Sequence, residues 1–183
     1  MIRLPKWLLA VGTFALVLGL AGSVLAMQST KGTIKSMDAD KNQVIVTDEN
    51  GKDWTYHVQE GVKIYCDKIK DAKFADLKVG SEVRLLWEKK EGKLCAAALL
   101  HSDGAYRNAA LADGTIKTAD DNQLVVTDGK NKDWKYQLSD TAKINVNDKS
   151  AKAGDLKTGD HVMMVYEKEG ERYTILDICA ERK

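Results

Sequence analysis

The chain states one pattern twice. Gly32-Thr33-Ile34-Lys35 returns as Gly114-Thr115-Ile116-Lys117, and the match runs nearly to the C-terminus of the 183 residues. Val44-Ile45-Val46-Thr47-Asp48 matches Leu124-Val125-Val126-Thr127-Asp128. Lys52-Asp53-Trp54 matches Lys132-Asp133-Trp134, and Asp76-Leu77-Lys78-Val79-Gly80 matches Asp155-Leu156-Lys157-Thr158-Gly159. Copies this similar share one fold, and two are too few for a solenoid, so each copy should be a domain with its own core.

Within each copy the apolar residues alternate with polar ones, as a half-buried strand requires. Val44 and Val46, then Trp54, Tyr56 and Val58, then Val83, Leu85 and Trp87 follow this period. So do Leu124 and Val126, then Trp134, Tyr136 and Leu138, then Val162, Met164 and Tyr166. Asn50-Gly51 marks a hairpin, and Glu91-Gly92 and Glu169-Gly170 mark another in each copy. The pattern predicts strands near 32–38, 43–49, 52–59, 62–66, 82–89 and 93–100. The second set falls near 114–119, 123–128, 132–139, 142–146, 161–168 and 172–179. The last strand of the first copy is apolar on both faces (Cys95, Ala97 and Leu99 against Ala96, Ala98 and Leu100), which implies a bulge or burial on both sides.

The expected class is all-β: two tandem small antiparallel β-barrels of about six strands each, following an N-terminal signal segment. Closure is expected because it removes exposed strand edges. The division is 1–26 signal peptide, 27–102 first barrel, 103–113 linker and 114–183 second barrel. Arg3 and Lys6 precede an apolar run from Trp7 to Leu20, and Val24-Leu25-Ala26 offers a cleavage site. The protein is therefore expected to be exported, periplasmic or secreted, with membrane contact only if this segment stays uncleaved. The formal net charge is +1, and Lys alternates with Asp and Glu, so no basic block invites a nucleic acid.

The ordered series Gly-Thr-Ile-Lys, Val-x-Val-Thr-Asp, Asp-Leu-Lys-x-Gly and Val-x-Leu-x-Trp/Tyr-Glu-Lys resembles the small tandem β-barrel domains of uncharacterised secreted bacterial proteins. In outline these are similar to oligonucleotide/oligosaccharide-binding barrels. The shared motifs are turns and core positions, so the resemblance implies a fold and no activity.

No group of reactive residues repeats. His57, His101 and His161 have no histidine partner in the other copy, no C-x-x-C motif occurs, and no local Ser-His-Asp or Cys-His grouping exists. The expectation is a protein without catalytic residues, cofactor or metal site. It would be an extracytoplasmic interaction or structural module whose partner is an unknown protein or envelope component, with strand edges or barrel faces as its surface. The alternative is a binder of a glycan or a cation at a barrel-mouth loop or in the inter-domain cleft. Asp38, Asp40, Tyr65 and Tyr106 are its candidate contact residues. Asp38-Ala39-Asp40-Lys41-Asn42 resembles the start of a calcium loop, but Gln43 stands where that loop needs glycine, and a polar hairpin turn explains it better. Tyr65 and Tyr106 occur outside the repeat and are expected at the surface. Cys66 and Cys95 are candidates for a disulfide, with Cys179 left over. Cys95 and Cys179 align with Tyr173 and His101.

Overall fold

The computed structural model describes residues 27–67, 69 and 71–182. The export signal expected over 1–26 lies outside these residues. The first copy forms β1 (Gln28–Asp38), β2 (Gln43–Asp48), β3 (Asp53–Tyr65), β4 (Glu82–Lys90) and β5 (Lys93–His101). These close in the order β1-β2-β3-β5-β4, with β4 returning to β1. The second copy forms β6 (Ala110–Ala119), β7 (Gln123–Thr127), β8 (Asp133–Val146), β9 (Lys149–Ser150), β10 (His161–Glu169) and β11 (Arg172–Glu181). Its sheet runs β11-β10-β6-β7-β8-β9, and β8 also pairs with β11, which joins the two ends of the ring. Each ring has the outline of an oligonucleotide/oligosaccharide-binding barrel.

The expected all-β pair of small barrels is present, with five strands in the first sheet and six in the second, and two details differ. Residues 52–59 and 62–66 belong to one long strand, β3, and 132–139 and 142–146 belong to β8. Gly61 (φ +78) carries β3 through a bend instead of a reversal. The barrels are also not wholly antiparallel. β3 pairs in parallel with β5 (Tyr56 with Leu94, Tyr65 with Leu100), and β8 pairs in parallel with β11. Between Val58–Ala96 and Lys63–Ala98 the long strand spends extra residues on the bend, so its two halves face different parts of the ring.

The alternating residues fill each barrel. Ile34, Val44, Val46, Tyr56, Val83, Leu85, Ala96 and Leu99 form the first core, and Ile116, Leu124, Val126, Tyr136, Val162, Met164, Ile175 and Ile178 the second. Gly32 and Gly114 let β1 and β6 press against their neighbours. A Cβ on Gly32 would lie 2.2 Å from the Thr47 carbonyl oxygen, and one on Gly114 would lie 2.6 Å from that of Thr127. In each copy an aspartate ties the hairpin into the barrel. The Asp48 carboxylate accepts the Asn50 and Lys52 N–H groups and Trp54 Nε1, each at 2.9 Å, and Asp128 does the same for Lys130, Lys132 and Trp134. The Trp54 and Trp134 bonds in particular hold both carboxyls below the usual carboxylate range.

A third apolar cluster lies between the barrels. It joins Tyr65, Leu86, Ala98 and Leu100 to Leu111, Met163 and Val165, with Tyr106 and Ala109 of the connection between them. The barrels thus have separate interiors, as the repeat implies, and share in addition a buried joint. The doubly apolar β5 reflects this: Ala96 and Leu99 face the first barrel's core, while Ala98 and Leu100 face the joint. Residues 103–113, expected as a linker, contain a 3-10 turn at Gly104–Tyr106 and the start of β6.

Candidate functional site

A cleft of about 930 Å³ opens beside this joint, with walls from both barrels. The second halves of β3 and β8 form its sides, because the bends described above turn them toward each other. Lys63 and Lys143 occupy matching places on the two strands, opposite Ala98 and Asp177 respectively. Asp177 is therefore a carboxylate where the first copy has alanine.

Asp177 is 7% exposed. The Tyr106 hydroxyl donates to its Oδ2 at 3.0 Å, and Lys143 Nζ donates to the Tyr106 hydroxyl at 3.2 Å. Asp177 Oδ1 is buried and no hydrogen bond reaches it among the described residues. Burial pushes its pKa up to about 6, against the opposing pull of Tyr106, Lys143 and the backbone N–H of Ile178. Lys143 Nζ also lies 3.4 Å from the Asp67 carbonyl oxygen and 5.3 Å from the Tyr106 ring. The Asp67 carboxylate accepts the Ala105 N–H at 3.1 Å, which anchors the connection. Across the cleft Lys63 Nζ pairs with Asp148 Oδ1 at 2.6 Å.

The candidate residues of the sequence are not brought together. Asp38 is occupied within its own turn, accepting the Lys41 N–H at 3.0 Å and Lys41 Nζ at 2.7 Å, and Asp40 is exposed on that turn. Tyr65 and Tyr106, expected at the surface, are 5% and 3% exposed. Both are apolar enough to fill the joint, and each spends its hydroxyl internally, Tyr65 on the Met163 carbonyl oxygen at 3.3 Å. They nonetheless lie beside the cleft, Tyr65 in its wall and Tyr106 against Asp177.

The candidate disulfide is also corrected. Cys66, Cys95 and Cys179 are all free. Cys95 lies opposite His57 and Leu100 opposite Tyr65, so Cys66 and Cys95 sit at opposite ends of the β3–β5 pair. At about 3.3 Å per residue this separates them by roughly 15–20 Å, far beyond disulfide reach. The register also shows that Cys95 matches Thr174, not Tyr173, and that Cys179 matches Leu100, not His101. Burial pushes the Cys66 thiol up to about 11 and raises that of Cys179, so neither is a ready thiolate.

Asp177, Lys143 and Asp67 went unrecognised in the sequence. Asp177 did leave a signal, since it interrupts the apolar run Ile175-Leu176-Asp177-Ile178 at a place where the other copy keeps Ala98.

No protein-family model and no curated protein matches this chain. Among solved structures it is similar to a silver(I)-bound CusF, at 16% identity and a TM-score of 0.31, over 38% of this chain and 93% of that one. It is similar also to silver(I)-bound CusF from Escherichia coli (17% identity, TM-score 0.32, 40% of this chain and 92% of that one). The apo form of CusF from Escherichia coli gives 17% identity and a TM-score of 0.32, over 40% of this chain and 88% of that one.

Proposed function

We propose that this protein is a non-catalytic extracytoplasmic binding module that holds a small, positively charged polar molecule in the cleft between its barrels. The observation that carries this reading is Asp177. A carboxylate 7% exposed, with one oxygen unsatisfied, is costly to fold, and it stands in the wall of the cleft of about 930 Å³. An ammonium group donating to Oδ1 would satisfy that atom. Among the described residues, Asp67, Asp71, Asp148 and Asp177 line the cleft together with Lys63 and Lys143, and a cationic group would meet the unpartnered oxygen of Asp177.

The alternative surface, a free strand edge, loses ground because both rings close and, among the described residues, the two-residue β9 is the strand that extends beyond them. The raised thiol pKa values argue against a cysteine nucleophile. Location outside the cytoplasm rests on the signal pattern in 1–26.

Native mass spectrometry and calorimetry with ethanolamine, putrescine and spermidine test the proposal. At least one should bind, and Asp177→Asn should abolish the binding while preserving the fold. Silence toward all three amines, or binding indifferent to Asp177→Asn, would remove this reading.

A further inference from the structure

The two barrels differ most where their aromatic residues meet. In the first, the Tyr56 hydroxyl donates to Thr30 Oγ1 at 3.1 Å, and Trp87 Nε1 donates to the same oxygen at 2.9 Å. Thr30 lies on β1 opposite Leu85 of β4. The matching place on β6, opposite Met164 of β10, is Ala112. The shared hydroxyl is gone, and among the described residues no hydrogen bond reaches the hydroxyls of Tyr136 or Tyr166, the counterparts of Tyr56 and Trp87.

Two neighbouring exchanges act in the same direction. Leu94 packs against the first core, and its counterpart is Tyr173. Lys31 pairs with Glu49 at 3.4 Å and Glu82 at 3.1 Å, and its counterpart is Asp113, whose Oδ2 is buried without a hydrogen-bond partner. A hollow of about 430 Å³ lies here between the second barrel and Met27, Ser29 and Leu86 of the first, with Trp134, Tyr136, Tyr166, Tyr173, Asp113 and Lys168 on the second barrel's side. Tyr136, Tyr166 and Tyr173 lie 5.5–5.8 Å apart at interplanar angles of 54–69°, so none stacks flat on another.

We infer that this hollow is a binding site for a short neutral glycan, separate from the acidic cleft and independent of it. A pyranose has an apolar C–H face and a rim of hydroxyls, and the hollow offers aromatic rings, two unused tyrosine hydroxyls and an unsatisfied carboxylate oxygen. A sugar hydroxyl donating to Asp113 Oδ2 supplies the partner that the protein withholds. Burial pushes the Asp113 carboxyl above its usual range, against the opposing pull of His161 and of its own backbone N–H. The charges in the wall balance, Asp113 and Asp128 against Lys130 and Lys168, which suits a neutral guest. A free organic cation fits less well, because ammonium groups already stand over the rings. Lys132 Nζ lies 3.7 Å from the Trp134 ring centroid, and Lys168 Nζ lies 5.4 Å from that of Tyr173.

The test titrates the full-length protein with chitotriose, cellotriose, maltotriose and mannotriose. Binding is followed by tryptophan fluorescence and calorimetry. Ala112→Thr and Tyr173→Leu each install the residue that the first barrel carries at that place. At least one trisaccharide should bind, and each variant should weaken it by about tenfold or more. If either variant fails to fold, Asp113→Asn, which keeps the side-chain shape, gives the same readout. The inference is overturned if no trisaccharide binds, if the variants bind as the parent does, or if tetramethylammonium occupies the site in place of sugar.

Discussion

Replacing Asp177 with asparagine should make the protein more stable as the pH rises, relative to the parent. The folded-state pKa of about 6 stands roughly two units above the ordinary aspartate value of 3.8. Each unit corresponds to about 1.4 kcal/mol, so ionised Asp177 costs the fold about 3 kcal/mol. The sign follows from proton binding. Below pH 3.8 the carboxyl is protonated in both states and costs nothing. Between about pH 4 and pH 6 the unfolded chain releases its proton while the folded chain retains it, so stability is lost as pH rises. Above pH 6 the penalty is complete. Asparagine resembles the protonated form and can still accept from Tyr106, so it should be free of this dependence. Urea unfolding of both proteins at about pH 4 and pH 7.5 measures the effect. Part of the penalty is already present at pH 4, so the advantage of Asp177→Asn should grow by about 2–2.5 kcal/mol between the two conditions. Other carboxylates titrate in both proteins and cancel in the difference. A difference that stays constant, or that shrinks with rising pH, would refute the reasoning that burial strains this carboxylate.

Gly32→Ala and Gly114→Ala should each destabilise the protein by about 3 kcal/mol or more, because the new Cβ meets a backbone oxygen that cannot move aside. The cost should be larger at Gly32, where the approach is 2.2 Å, than at Gly114, where it is 2.6 Å, and thermal unfolding would rank them. Titration with a thiol reagent after denaturation without reductant should count all three cysteines as free; a loss of two thiols would contradict the placement of Cys66 and Cys95.

The alternation of Val44, Val46, Trp54 and Tyr56 was enough to read strands and their inward faces, because the side-chain period of a strand is visible in any single segment. Chain direction between distant strands is not. The pattern divides 52–59 from 62–66, and only the pairing of Tyr56 with Leu94 and Tyr65 with Leu100 shows that β3 continues through both. The apolar character of both faces of β5 was readable, but not that its second face meets Tyr106 and Met163 of other segments. The site was least legible. Tyr65 and Tyr106 were singled out for standing outside the repeat, and both do lie by the cleft, although buried. Asp177 and Asp113 matter because their surroundings leave an oxygen unsatisfied, and no local pattern encodes that.

Two small barrels, each with its own interior, are fused through a third apolar cluster. Amide hydrogen exchange at Val44 in β2 and Leu124 in β7, compared between the parent and Leu100→Ala, measures this most directly. Leu100 is fully buried in the joint and belongs to neither barrel core. The account predicts that both amides report the same opening free energy, and that Leu100→Ala lowers both together by about 2–5 kcal/mol. Loss of protection in one barrel while the other stays unchanged would contradict it.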